Sequence, residues 1–250
     1  MNDAPPAARP TESAAGPAVE HERPAHPAIH WQLPRIHPEG WRFVGPAAGA
    51  ALVALLLGWT PLFWLLAGAA GACAFFFRDP ERVPSWEPGV LLSPADGLVV
   101  RIAQADVPPE LSGPGGLEPG RRLRISVFLS VFDVHVNRTP VAGTVRYLGW
   151  VRGAHGDAGH DAASDMNERA HMVLEALDGT RVGVTQVAGL VARRIVRFVH
   201  EGAMLAAGQR FGLIRFGSRV DLWCPPGYEP VVRPGQRAVA GETVLARKAP

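Results

Sequence analysis

The 250-residue sequence predicts a mainly β protein carrying an apolar helical segment ahead of its β region. Three observations predict it. From Val90 onward, short runs alternate apolar and polar residues with period two. Phe43 to Phe77 carries no charged residue. Glycine-marked corners recur at both ends of the alternating region.

Residues 1–40 are dominated by Pro, Ala, Glu and His without an apolar period, and read as a disordered tail. His21, His26, His30 and His37 are spaced irregularly among prolines, which fits a solvated tail better than a metal tract. No apolar core follows a short basic start, so nothing here reads as a cleaved signal peptide.

Residues 41–78 form the apolar segment. It exceeds the roughly 20 residues of one spanning helix and is tight for two. Gly58-Trp59-Thr60-Pro61 breaks it in the middle. The readings are one tilted span, a short helical hairpin dipping into a bilayer, or a buried helix pair. Arg42 on one flank, with Arg78 and Arg82 on the other, favours a hairpin with both ends cytoplasmic. Trp41, Trp59 and Trp64 suit an interfacial belt.

Residues 79–250 form the β domain. Strands are expected at 97–103, 122–130, 143–151, 170–177, 181–189 and 212–223, with a loop over 108–120. Residues 190–199 suit a helix or a strand. Ser93–Val100 and Val232–Ala246 resemble the hairpin corners of a barrel-sandwich or hammerhead fold, as in biotinyl and lipoyl domains. Those carriers present a modifiable lysine at the hairpin tip, and none stands here.

Composition narrows the chemistry. A formal charge of +2 gives no reason to expect nucleic acid. Lys248 is the one lysine; all other positive side chains are arginine, through genome composition or through use on phosphate and carboxylate groups. No internal lysine amine is therefore available for a Schiff base. Cys73 and Cys224 form no CxxC pair, so neither a disulfide framework nor a zinc site is implied, and a reducing compartment fits.

Gly217-Ser218 interrupts the last alternating run. Taken alone, the pair reads as a strand with a small bulge. A serine directly after glycine has another use. Its hydroxyl can attack the preceding carbonyl, turning the amide into an ester whose β-elimination breaks the chain. The new N-terminus hydrolyses to a pyruvoyl group. Glycine leaves that carbonyl unshielded.

The surrounding motifs sharpen this. "ADG" (Ala95–Gly97), "FDVHVNRTP" (Phe132–Pro140) and "GLIRFGSRVD" (Gly212–Asp221) resemble the signature stretches of the phosphatidylserine decarboxylases, in their short bacterial and archaeal form. "NER" (Asn167–Arg169) and "FFRDPER" (Phe76–Arg82) fit the same family, and the resemblance covers roughly residues 40–250. It implies a proenzyme that cuts itself between Gly217 and Ser218 into a β chain, 1–217, and an α chain, 218–250. Ser218 becomes the covalent pyruvoyl cofactor. That carbonyl is an electron sink made from the chain itself, which agrees with the missing lysine.

The resemblance also assigns roles. Asp96 and His135 match the aspartate and histidine that serve self-cleavage, by the logic of a hydrolase triad. Without it, Asp96 is a turn-capping residue and His135 a satisfied strand histidine. Longer family members carry a second histidine three positions beyond the first, where this chain has Arg138. Either His135 does both jobs or His200 supplies one, with His171 a further candidate. Return of a proton to carbon is assigned to His135.

Arg138, beside the proposed centre, is the expected contact for a substrate carboxylate or phosphate. Arg121–Arg124 and Arg193–Arg197 either face anionic headgroups or lie on a solvated surface. The loop with His155, Asp157, His160 and Asp161 is read as mobile and closing over substrate rather than holding a metal.

The implied partners are a phospholipid, a membrane surface and the α and β chains as a heterodimer, with higher oligomers open. The implied location is the cytoplasmic face of the cell membrane, peripheral or hairpin-anchored. Other readings are the same chemistry on another serine phospholipid such as archaetidylserine, a non-catalytic barrel-sandwich adaptor, and a soluble pyruvoyl decarboxylase of free amino acids.

Overall fold

The uncharged segment folds as two helices. The computed structural model describes residues 33–85, 87–153, 167–189, 194–215 and 218–249, and the residues from Pro34 onward form one unit. Helix α1 (Pro38–Leu56) begins where His37 Nδ1 accepts from Glu39 N at 3.2 Å, with Pro38 in the first turn, where a missing N–H costs nothing. It ends at Leu57–Gly58. Gly58 takes φ +72°, the left-handed corner that glycine adopts without strain. Helix α2 (Thr60–Phe76) follows and packs along α1.

A hairpin therefore replaces the single tilted span, because Gly58 and Pro61 end one helix and start the next. No helix of the described residues is long and apolar enough to cross a membrane. Strand β1 (Arg35–Ile36) pairs with β2 (Arg78–Asp79) and closes the hairpin's base, so ordered pairing begins inside the stretch read as tail. His21, His26 and His30 lie outside the described residues.

The remainder is β, as expected, and runs in order as β3 (Val90–Leu92), β4 (Gly97–Asp106), β5 (Arg121–Leu129), β6 (Val136–Arg138), β7 (Gly143–Val151) and β8 (Arg169–Ala176). There follow β9 (Arg181–Ala188), β10 (Arg194–Arg197), β11 (Met204–Leu205), β12 (Arg210–Arg215) and β13 (Ser218–Trp223). The last are β14 (Tyr228–Pro230), β15 (Arg237–Ala238) and β16 (Val244–Lys248). An eight-stranded antiparallel sheet has the order β11-β7-β8-β9-β13-β5-β4-β15. Two three-stranded sheets, β10-β12-β6 and β14-β16-β3, accompany it.

One face of the large sheet builds the main core. Val127, Ile125, Val184, Val220 and Leu222 lie there, the alternate residues of adjoining strands. A second cluster joins Phe76 and Phe77 at the hairpin's base to Val134, Val136 and Leu213. Burying each such side chain contributes roughly 1.5–3 kcal/mol, so the hairpin's base is packed onto β6 and β12 rather than tethered to them. The 108–120 loop contains a short 3-10 turn at Pro109–Leu111, and its Leu111 and Leu117 cover Trp223 on the other face of the large sheet.

Of the two readings open for residues 190–199, the strand is the one found, as β10, with 190–193 outside the described residues. One segment differs from the sequence expectation: the run 212–223 is two strands in two sheets rather than one. Leu213 packs into the hairpin cluster, whereas Val220 and Leu222 belong to the main core. The chain thus changes sheets between Arg215 and Ser218. Phe216 and Gly217 lie outside the described residues, and Ser218 opens β13.

Candidate active site

Ser218 is held on both sides. It stands opposite Leu129, the last residue of β5, and Ala188, the last residue of β9. It is fully buried, and among the described residues its Oγ has no hydrogen-bond partner. A buried hydroxyl without a partner costs about 1–3 kcal/mol; Ser126 on the neighbouring β5 carries the same cost.

His135 lies between the end of β5 and the start of β6, and its carbonyl accepts from Ile214 N at 3.3 Å. Register places it relative to Ser218. His135 immediately precedes β6, and with the chain extended there it shares a face with Asn137, two residues on. Gln186 Nε2 donates to Asn137 Oδ1 at 2.7 Å, which sets Asn137 against β9 two residues before Ala188. Asn137 pairs with Gly212, and the His135 carbonyl meets Ile214, so moving from Asn137 to His135 is moving along β12 toward Ser218. Moving from Gln186 to Ala188 leads the same way. His135 therefore faces the end of β9 and β13 that carries Ser218.

The imidazole is prepared for one role. His135 Nδ1 is 2.9 Å from the Asp133 carbonyl oxygen. A carbonyl only accepts, so Nδ1 carries the hydrogen and Nε2 keeps its lone pair. Nε2 is buried without a partner among the described residues. The ring of Phe76 covers the imidazole at a centroid distance of 4.2 Å. Burial is the main cause that pushes the His135 pKa down to about 4; the Asp133 carbonyl bond and charge oppose it, and Arg78 assists it. The ring is neutral at pH 7, with one free basic nitrogen.

Asp96 sits at the head of β4. Its Oδ2 accepts from Arg82 at 2.7 Å and its Oδ1 from Ala240 N at 2.7 Å. Burial raises its pKa, against the opposing pull of Arg82 and the Ala240 N–H. β4 is separated from β13 by β5, a distance of about 10 Å at the usual strand spacing. The structure thus brings Asp96 to the same end of the sheet as Ser218 but bonds its carboxylate to Arg82 rather than to His135. Gly97 permits this arrangement. It has φ +150°, and a Cβ there would stand 2.0 Å from the Phe128 carbonyl oxygen on β5.

The residue that serves His135 directly is Asp133. Its carbonyl holds the ring, while its carboxylate accepts from Ser130 N at 2.8 Å and Ser130 Oγ at 2.7 Å and pairs with Arg237. Sequence reasoning quoted Asp133 but assigned it nothing. Its signal was the two-residue spacing to His135, which lets a turn's carbonyl reach back to the ring. Arg78 was read only as a membrane flank. It donates to the Phe75 carbonyl at 2.8 Å and to the Phe132 carbonyl at 2.6 Å, tying the hairpin to the loop that bears Asp133 and His135.

The remaining candidates lie elsewhere. Arg138 is buried and donates to Gly208 O at 3.0 Å, to Asp79 Oδ1 at 3.2 Å and to Pro80 O at 2.8 Å. His200 is exposed, in a turn joined to β7 through Gly202 N and Val145 O at 2.8 Å, with β8 and β9 between it and β13. His171 is buried on β8 opposite Thr185, which stands opposite Asp221. That parity puts it on the other face of the sheet from Ser218. His155, Asp157, His160 and Asp161 lie outside the described residues.

A family profile described as phosphatidylserine decarboxylase matches residues 70–246, which include every residue of this cluster. The chain belongs to the phosphatidylserine decarboxylase family. It is 50% identical over 222 residues to the phosphatidylserine decarboxylase proenzyme of Erythrobacter litoralis, covering 87% of this chain and 89% of the relative. Identity to the proenzyme of Novosphingobium aromaticivorans is 49% over 221 residues, covering 86% and 88%. The proenzyme of Zymomonas mobilis matches at 43% over 228 residues, covering 91% and 93%. The family match thus begins in the last turns of α2 and runs through the β region to residue 246.

Proposed function

We propose that this chain is a proenzyme that cuts itself between Gly217 and Ser218 and then decarboxylates phosphatidylserine to phosphatidylethanolamine. The observation that carries the reading is the buried, unpartnered hydroxyl of Ser218 at a strand start, with the free Nε2 of His135 facing the same end. In the first step Ser218 Oγ bonds to the Gly217 carbonyl carbon, the Gly217–Ser218 C–N bond breaks, and the hydroxyl proton passes by way of His135 Nε2 to the released nitrogen. Loss of the Ser218 α proton then expels the Gly217 carboxylate. Water completes the conversion to a pyruvoyl group with release of ammonia.

The residues present fit that group. Ser218 is flanked by β5 and β9, so the new chain end stays hydrogen-bonded in the sheet after cleavage. When present, its ketone supplies the electron sink that decarboxylation of an amino acid requires. The pocket's own residues do the rest: Phe76 excludes water, Asp133 orients the imidazole, and His135 Nε2 holds the proton that returns to the substrate carbon. Asp96 stands with Arg82 as a second charged pair at that end. Arg138 is assigned to holding β6 in place, since its guanidinium is engaged three times inside the protein. His200 has no part in this arrangement.

The reading extends to architecture and place. The flanking sheet β14-β16-β3 and the glycine corners near Asp96 and Gly241 fit a barrel-sandwich arrangement. The exposed Leu52, Leu56, Trp59, Trp64 and Leu65 of the hairpin fit insertion into one leaflet of the cytoplasmic face. The α and β chains would remain together as strands of one sheet.

The test is intact mass. Purified wild type should give two chains in place of one of 26.7 kDa, the smaller with a blocked amine, and should release CO2 from phosphatidylserine. Ser218→Ala should stay whole and inactive. A single unmodified chain that still released CO2 would end the proposal.

A further inference from the structure

The loop that carries Asp133 and His135 exposes two apolar side chains at its tip. Phe132 is 73% exposed and Val131 45%. Neither packs into the cores, and neither side chain is needed to hold the loop: its anchor is the Phe132 carbonyl, bound by Arg78. The same guanidinium binds the carbonyl of Phe75 and lies over the Phe75 ring at 4.0 Å. Phe75, at the end of α2, is itself half exposed. One arginine thus sets the loop tip beside the base of the hairpin.

That base has the chemistry of a lipid interface. Trp41 and Phe75 are exposed on the two helices at this level, and Arg42 and Arg237 are largely exposed nearby in the chain's pairing pattern. Aromatic rings with arginines are the side chains that settle at headgroup depth, the rings among the upper acyl carbons and the cations on phosphate. The rest of the hairpin, about 22 Å of apolar helix at 1.5 Å per residue, extends from this level. An exposed Phe-Val pair on a loop of its own, tied by Arg78 to the half-exposed Phe75 of the hairpin, has the side-chain chemistry that settles into a bilayer surface.

We infer that Val131 and Phe132 insert into the lipid surface as a second contact beside the hairpin, and seat the loop that carries Asp133 and His135 on the headgroups of an anionic bilayer. The inference rests on the reading of the chain as a phospholipid decarboxylase. It makes the loop, not the hairpin alone, responsible for presenting lipid to the site: Phe132 is three residues from His135 and one from Asp133.

Two measurements on the full chain test it. In a Cys73→Ala background, with Cys224 buried, Phe132→Cys is labelled with an environment-sensitive fluorophore and mixed with phosphatidylserine–phosphatidylcholine vesicles. The emission should shift to the blue and be quenched by shallow lipid-borne quenchers. Separately, Phe132→Ser should still cut itself, and should keep its rate on dispersed short-chain phosphatidylserine. On vesicles its rate should fall about tenfold, the scale of losing one buried aromatic side chain.

A label whose emission does not move while the protein co-sediments with vesicles would overturn the inference. So would a Phe132→Ser enzyme with the wild-type rate on vesicles. Failure of the parent reading looks different: wild type that neither cuts itself nor releases CO2 from either form of the lipid.

Discussion

The ring of Phe76 stands 4.2 Å from the imidazole of His135, centroid to centroid, tilted by 35°. Phe76 is the last residue of α2, and His135 is the base proposed for self-cleavage. A residue of the apolar hairpin therefore packs directly on the proposed base, and its burial of the imidazole has a definite sign.

Phe76→Ala should let water reach the ring. Desolvation is the main cause of the low His135 pKa, so the pKa should climb from about 4 toward the ordinary histidine value. The measurement is an NMR titration of the imidazole in a Ser218→Ala background, where the chain stays whole. The fold should weaken by about 3–5 kcal/mol, as for other buried phenylalanines cut to alanine. Phe76→Leu should do neither to the same extent. An imidazole that titrates unchanged in Phe76→Ala would assign the desolvation to other walls.

Acid should destabilise the uncut protein before its carboxylates protonate. His135 and His171 are both buried, and both are held down to about 4. Each is neutral in the fold and takes a proton more readily once unfolded. Unfolded chains therefore bind more protons between pH 6.5 and 4, and stability is lost as pH falls through that window. At 1.36 kcal/mol per unit the loss is on the order of 3 kcal/mol per histidine, as an upper bound. Asp96 has a raised pKa and contributes with the opposite sign, over the window from the ordinary carboxylate value up to its folded one. Denaturant midpoints for Ser218→Ala at pH 7, 6 and 5 should decline steadily; equal midpoints would refute it.

Gly97→Ala should fail to fold as the wild type does. Its Cβ would meet the Phe128 carbonyl oxygen at 2.0 Å, and φ +150° is a conformation that L residues rarely adopt. Phe128 and Leu129 are where β5 borders Ser218 and Arg219. The β4–β5 contact cannot yield without disturbing the strand that holds the cleavage junction. The expected loss exceeds 4 kcal/mol, seen as low soluble yield with uncut chain in what remains. Efficient self-cleavage in Gly97→Ala would show that the end of β5 is pliable.

Much of this was legible in the sequence because period-two alternation and an uncharged run are local signals. The β4, β5, β7, β8 and β9 strands appear where alternation puts them, and Gly58 with Pro61 divides the apolar segment as break signals do. The junction at 212–223 was less legible. The run reads as one strand in spite of Gly217-Ser218, and only tertiary packing, with Leu213 in one core and Val220 in another, splits it between sheets. Ser218, Asp96 and His135 were found through motif resemblance. Asp133 was missed because its contact with His135 runs through a main-chain carbonyl, which no side-chain pattern encodes. Arg78 was missed because a charge beside an apolar run reads first as a membrane flank.

Arg138 separates a structural role from a substrate contact. Its guanidinium joins Gly208, Asp79 and Pro80, and Asp79 also pairs with Arg210 at 2.7 Å. Removing one partner of a buried ion pair costs about 3–5 kcal/mol when it strands the other, and less here because Arg210 still pairs with Asp79. Arg138→Gln should lower the unfolding free energy by about 1–3 kcal/mol. Arg138→Lys should recover only part of it, because one ammonium cannot reproduce a planar fork spanning three acceptors. The folded fraction of either variant should still cut itself, with an unchanged KM for dispersed phosphatidylserine.

A double-mutant cycle with Asp79→Asn should show coupling of 0.5–3 kcal/mol in stability. The opposite result is specific. If Arg138→Lys keeps wild-type stability while KM rises tenfold, the guanidinium leaves its internal partners to meet the lipid, and its place is in substrate binding.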